Sequence, residues 1–135
     1  MKTLRIILLL FIVSCCFSCM EIDYNETENK YWIENDTNDT IHVEFTLYPR
    51  YYFADDGSTK RRIAPHDTGL LGLAMGGSEA FPPSKLFQRI MFLSPSKDTL
   101  YIMENIDDSE WAYSDTILSV EHGLGYYDWT YTFSK

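Results

Sequence analysis

The sequence predicts an all-β protein: an antiparallel β-sandwich of immunoglobulin-like or transthyretin-like kind, or a small barrel, with about seven strands. Three observations carry this reading. Residues 41–47 and 127–133 alternate apolar and polar side chains with a period of two, which marks a strand with one buried face. Turn-forming residues recur roughly every 8–12 positions between short apolar runs. No segment keeps a 3.6-residue period for more than about two turns, so a long amphipathic helix is not expected.

Each element follows from its residues. Segment 19–30 is polar and acidic without periodicity and reads as a flexible tether, with a single domain over 31–135 opening at Tyr31-Trp32-Ile33. Asn35 to Thr40 is dense in side chains that hydrogen-bond their own backbone, and reads as a turn. Ile41, Val43, Phe45 and Leu47 then form one face of a strand, with His42, Glu44, Thr46 and Tyr48 on the other. Tyr51 to Ala54 is a candidate partner strand and Asp55-Asp56-Gly57-Ser58 a hairpin turn, from which Lys60 to Ala64 returns toward Pro65-His66-Asp67. Leu70 to Met75 is apolar but interrupted by glycine, and the glycines and prolines between Gly76 and Ser84 read as loop. Leu86 to Leu93 and Leu100 to Met103 make two arms of a hairpin around the turn Pro95 to Asp98. Asp107 to Trp111 suits the start of a short helix, because acidic residues and serine favour a helix N-terminus. The last strand is the clearest, with Tyr127, Trp129, Tyr131 and Phe133 alternating with Asp128, Thr130, Thr132 and Ser134.

The leader has a different logic. Lys2 and Arg5 precede eight uninterrupted apolar residues, Ile6 to Val13, and Ser14, Cys15, Cys16, Phe17, Ser18 and Cys19 follow. Positive, apolar and small segments in that order form a secretory signal over residues 1–18. The apolar run is shorter than the ~20 residues that span a ~30 Å hydrocarbon core. All three cysteines of the chain lie here. A signal that ends in cysteine resembles a bacterial lipoprotein signal, and the acidic start Glu21-Ile22-Asp23 behind it resembles the export signal of surface lipoproteins in the Bacteroidetes. The resemblance implies lipidation at Cys19, with Cys15 the competing position because Ile12 and Ser14 fit the sites three and one residues before it. It also implies an outer-membrane lipoprotein of the bacterial envelope, facing the periplasm or the surface, held by an N-terminal lipid. The whole order of leader, tether and aromatic β-domain resembles small Bacteroidetes lipoproteins, and implies a location rather than an activity.

Composition excludes several classes. Removing the leader leaves 117 residues, enough for one domain with a real core. The chain carries 20 acidic against 11 basic residues, and losing Lys2 and Arg5 takes its net charge from −9 to −11. Such a charge argues against nucleic acid and against electrostatic attachment to anionic lipid. Without cysteine after residue 19, the folded part has neither disulfides nor a thiol nucleophile.

Candidate chemistry is sparse. His42, His66 and His122 lie far apart without metal-ligand spacing, so neither a metal nor another cofactor is expected. Asp55-Asp56-Gly57-Ser58 lacks the alternating ligands of a calcium loop. No phosphate loop, serine elbow or paired His/Glu motif occurs, and no catalytic residue is assigned. Aromatics are the better candidates: 10 Tyr, 8 Phe and 3 Trp, crowded around residues 48–53 and 126–131. Flat amphipathic rings hold sugars and protein surfaces at small entropy cost. Tyr51 and Tyr52 are adjacent, so on a strand one faces outward and they become possible ligand-binding residues, whereas strict alternation places Trp129, Tyr131 and Phe133 in the core. Asp39-Thr40-Ile41, Asp98-Thr99-Leu100 and Asp115-Thr116-Ile117 resemble the O-glycosylation acceptor of exported Bacteroidetes proteins, which marks Thr40, Thr99 and Thr116. The same triplets also open ordinary strands. The expected role is therefore non-catalytic binding or structure in the envelope. Its alternatives are a carbohydrate- or peptide-binding accessory subunit that partners a saccharide or an envelope protein, and an acid/base hydrolase.

Overall fold

The computed structural model describes residues 27–48, 59–76, 79–119 and 124–135. Tyr31 and Ile33 alternate with Lys30, Trp32 and Glu34, and this pattern builds the first strand, β1 (Glu28–Asn35). β2 (Ile41–Leu47) buries Ile41, Val43 and Phe45 and turns His42 and Glu44 outward. β3 (Lys60–Ile63) and β4 (Thr68–Met75) follow, then a single helical turn, α1 (Pro83–Leu86), and β5 (Phe87–Leu93). β6 (Thr99–Met103), a 3-10 turn (Asp108–Glu110), β7 (Ala112–Ser119) and β8 (Leu124–Phe133) complete the order.

The eight strands form two four-stranded sheets, β4-β1-β8-β7 and β3-β2-β5-β6, packed face to face. This is the all-β sandwich that the alternation implies, and the described strands do not close into a barrel. One sheet contributes Tyr31, Ile33, Leu71, Trp129, Tyr131 and Phe133 to the core, and the other contributes Ile41, Val43, Phe45, Ile63, Phe87, Ile90 and Phe92. Rings fit edge to face or stacked, both across the seam and within the second sheet. Phe92 lies flat on Phe133 at 4.4 Å, and Phe87 meets Tyr31 and Phe45 edge-on at 5.3 and 5.6 Å. Each fully buried ring of this kind stabilises the fold by about 1.5–3 kcal/mol from area alone. At the corner joining the sheets Gly69 is required by packing, because a Cβ there would sit 2.7 Å from Cγ1 of the buried Ile63.

Three features differ from the sequence expectation. Pairing is antiparallel throughout except that β1 and β8 run parallel, from Glu28 opposite Tyr126 to Asn35 opposite Phe133. Alternation reports which face is buried, and says nothing of the partner's direction. The sheet also starts earlier than the tether boundary at residue 30: β1 opens at Glu28, with Thr27 and Asn29 buried. Among the described residues there are eight strands, and β7 is the one no sequence pattern marks, because its residues 112–118 are exposed on both faces and so show no alternation; the candidate strand 51–54 lies outside the described residues. The acidic stretch near 107 is a 3-10 turn, capped by the Asp107 carboxylate accepting from the Ser109 N–H.

Candidate functional site

Register brings three aromatic rings together on the face of the first sheet that looks toward the second. Tyr113 on β7 lies opposite Trp129 on β8, which lies opposite Tyr31 on β1. In the next row Asp115 lies opposite Tyr127, and Tyr127 opposite Asn29. Because side chains two apart on a strand share a face, Tyr113, Asp115, Tyr127 and Trp129 form one surface. Tyr113 tilts over Trp129 at 4.7 Å between ring centroids and stacks nearly parallel to Tyr127 at 6.0 Å, 13° between planes.

This surface leaves the core gradually. Trp129 is 8 % exposed, Tyr127 half-buried and Tyr113 46 % exposed. Ile117, on the same face of β7, is 57 % exposed and lies opposite Gly125. The Tyr127 ring lies back over Gly125, where a Cβ would meet its Cε2 at 3.6 Å.

Electrostatics complete the picture. Removal from water, then the Asp115 carboxylate and Tyr127, raise the Tyr113 pKa, so its hydroxyl keeps its proton. Asp115 is the single carboxylate on this face of β7 and β8. The arrangement offers a flat apolar surface with hydroxyl donors and one anionic acceptor at its rim. The opposite face of the same strands is polar: Lys30 sits 5.1 Å over the Tyr126 ring, and the Trp32 indole N–H donates to Asp128 at 2.8 Å.

The residues singled out by sequence are scattered. Thr40 is half-buried just before β2, Thr99 is exposed at the start of β6, and Thr116 is exposed in the middle of β7 opposite Tyr126. The structure does not bring these three together. Cys15, Cys19, Tyr51, Tyr52, the Asp55–Ser58 turn and His122 lie outside the described residues. Trp129, Tyr131 and Phe133 are buried, as alternation implies, and Tyr127 and Trp129 belong to the aromatic crowding around 126–131. Tyr113 is the residue sequence reasoning missed: its strand does not alternate, and only the β7–β8 register reveals its neighbours. Among the described residues no group of three or more His, Cys, Asp or Glu converges, and no helix is long and apolar enough to cross a membrane. Comparison with known proteins finds neither a family model that matches this chain nor a curated protein similar to it.

Proposed function

We propose that the chain is a lipid-anchored protein of the bacterial envelope whose β-sandwich binds neutral carbohydrate, without catalysis, on the Tyr113–Tyr127–Trp129 surface. The observation that carries the ligand class is the half-exposed Tyr113 ring, packed on Tyr127 and Trp129 on an edge strand whose residues 112–118 are all exposed. A pyranose presents an apolar C–H face to stacked rings and hydroxyls to a carboxylate and phenols, which is the chemistry this surface offers. The excess of acidic residues and Asp115 itself favour neutral over anionic saccharides here. General acid/base hydrolysis of a glycoside needs two carboxylates, whereas this face of β7 and β8 supplies one. Support for the envelope rests on the leader, with its apolar run from Ile6 to Val13 and its cysteines Cys15, Cys16 and Cys19.

Two experiments test the two halves. Fractionation of cells carrying Cys19→Ala and, separately, Cys15→Ala should release the protein from membranes in one of them. Retention of both variants in the membrane fraction sinks the lipid anchor. Calorimetric titration of the full chain with neutral β- and α-linked gluco-, xylo- and manno-oligosaccharides should give saturable heat with at least one of them. Silence across the panel overturns the ligand class.

A further inference from the structure

A concavity lies at the other end of the sandwich from the aromatic surface. The aromatic surface begins beside Asn29, whereas this one surrounds the turn after Asn35, six residues and about 20 Å further along β1. It is shallow and open to solvent, spans about 530 Å³ and is lined by Asn38, Asp39, Thr40, His42, Arg62, Pro65 and Pro95. We propose that it binds an acidic sugar, with the carboxylate held by Arg62 and His42 and the hydroxyls by Asn38, Asp39 and Thr40.

Two separate elements deliver positive charge to this place, Arg62 on β3 and Lys97 beyond β5, and β2 sets the titratable His42 between them. Arg62 on β3 lies directly opposite His42 on β2. His42 lies opposite Leu93 at the end of β5, from which the chain enters the Ser94–Asp98 turn bearing Lys97. That turn is tight: Lys97 has φ 73, and the Ser94 N–H donates to the Asp98 carbonyl at 2.8 Å. The concentration of cations is local, since acids outnumber bases 20 to 11 in the chain. Elsewhere on this sheet face the basic Lys60 is paired with Glu44 at 3.2 Å, whereas the Arg62 guanidinium has no acid within ion-pair distance among the described residues. A guanidinium offers a planar fork that matches a carboxylate.

The remaining lining groups suit hydroxyls. The Asn38 carbonyl oxygen is engaged by the His66 ring at 3.2 Å, which leaves its amide N–H groups as donors. Asn35 fixes the loop by donating to the Asp39 carbonyl at 2.8 Å, so the side chains of Asp39 and Thr40 are presented from a held backbone. Asp39 is the one acid in the lining. It disfavours a bare inorganic anion, and it accepts from sugar hydroxyls as a carboxylate does.

His42 supplies an internal reporter. Partial burial, Lys97 and Arg62 hold its pKa below the ordinary histidine value, and Glu44 opposes them. A carboxylate bound between Arg62 and His42 adds negative charge next to the imidazole. It favours the protonated ring, so the His42 pKa rises on binding and affinity falls as pH rises through that value.

The test is nuclear magnetic resonance titration of the full chain with galacturonate, galactose and inorganic sulfate as separate probes. Galacturonate should shift the resonances of residues 38–42, 62 and 97 saturably and raise the His42 pKa, leaving Tyr113 and Tyr127 unmoved. Galactose should leave the resonances of residues 38–42, 62 and 97 unshifted at the same concentration. Arg62→Gln, an exposed substitution whose fold is checked by its unfolding midpoint, should weaken galacturonate about tenfold, the ~1.4 kcal/mol of one charge-assisted hydrogen bond. Equal shifts by galactose at these residues, binding of sulfate as tight as that of galacturonate (an adventitious ion only), an unchanged Arg62→Gln affinity, or no shift at these residues each overturns the proposal. None of these results bears on the aromatic surface, whose ligands are read at residues 113–129.

Discussion

Asn35 shows how much one buried amide can organise. It is fully buried at the end of β1, and its Nδ2 donates to the carbonyls of Asp39 at 2.8 Å and Ala64 at 2.9 Å. Its Oδ1 accepts from the Thr37 hydroxyl at 2.8 Å and the Thr37 N–H at 3.2 Å. One side chain thus ties the turn after β1 to the turn after β3. Both turns lean on it, because their carbonyls have left the sheet ladder and the buried Asn35 amide is the donor they share. Asn35→Ala should cost about 2–4 kcal/mol, since it orphans several buried groups at once. Urea unfolding reads this directly, and a loss within the scatter of surface substitutions contradicts the arrangement.

Tyr31 gives a pH signature at the same scale. Its hydroxyl donates to the Phe81 carbonyl at 2.8 Å. Burial first, and the Asp108 carboxylate second, push its pKa well above the ordinary tyrosine value of 10.0. The folded state therefore prefers the neutral phenol. Its contribution to stability is complete below pH 10, where the unfolded chain begins to ionise, and is lost as pH rises from there through the folded value. Tyr31→Phe should cost ~1 kcal/mol at neutral pH for the lost hydrogen bond. It should also flatten the fall of the unfolding midpoint between about pH 9 and about pH 12. An alkaline fall as steep in the variant as in the parent assigns that loss to other groups.

Among the elements, β8 carries the most. It lies between β1 and β7, pairs with β1 from Tyr126 to Phe133 and with β7 from Leu124 to Thr130, and sends Trp129, Tyr131 and Phe133 into the core. Phe133 stacks on Phe92 of the opposite sheet. Phe133→Ala should cost about 3–5 kcal/mol through lost burial and the cavity left behind. Thr132, one residue away on the exposed face, bonds only the Glu34 carboxylate at 2.8 Å. Thr132→Ala should cost well under 1 kcal/mol. Similar urea midpoints for the two variants contradict the packing of this strand. β7 is the opposite kind of element: it is an edge strand that buries neither face, so its place depends on its ladder to β8.

These two strands also show what was legible in the sequence. β8 could be read because one of its faces carries the buried Trp129, Tyr131 and Phe133, and burial writes a period of two. β2 was legible for the same reason, and the β5–β6 hairpin through its apolar runs around the Pro95–Asp98 turn. β7 was not legible, since Tyr113, Asp115 and Ile117 face the same open space as they would in a loop. The aromatic surface was half visible: Tyr127 and Trp129 stood out as ring-rich sequence, but Tyr113 joins them only through a cross-strand register. The parallel pairing of β1 with β8 left no trace in either segment, because it joins strands from the two ends of the described chain.

At the scale of the molecule, the aromatic rings divide into two populations with different work. Phe45, Phe87, Phe92, Trp111, Tyr131 and Phe133 interlock the sheets. Tyr113 and Tyr127 extend the same ring system past the covered core to the surface, with Trp129 at the junction. A row of rings that begins buried is rigid where it emerges, so a ligand that stacks on it orders few further side chains. The acidic excess of the chain, −9 overall, keeps polyanions away from this end and leaves a neutral saccharide as the fitting partner.

The most direct test of that division is calorimetric titration of Tyr113→Ala beside the parent protein, using whichever neutral oligosaccharide the parent binds. Tyr113 is 46 % exposed and touches only Tyr127 and Trp129 among the described rings, so its removal should move the unfolding midpoint by no more than ~1 kcal/mol. Affinity should fall about tenfold or more, equivalent to ~1.4 kcal/mol for one lost stacking contact. A Tyr113→Ala protein that is folded and binds the oligosaccharide as tightly as the parent contradicts the account.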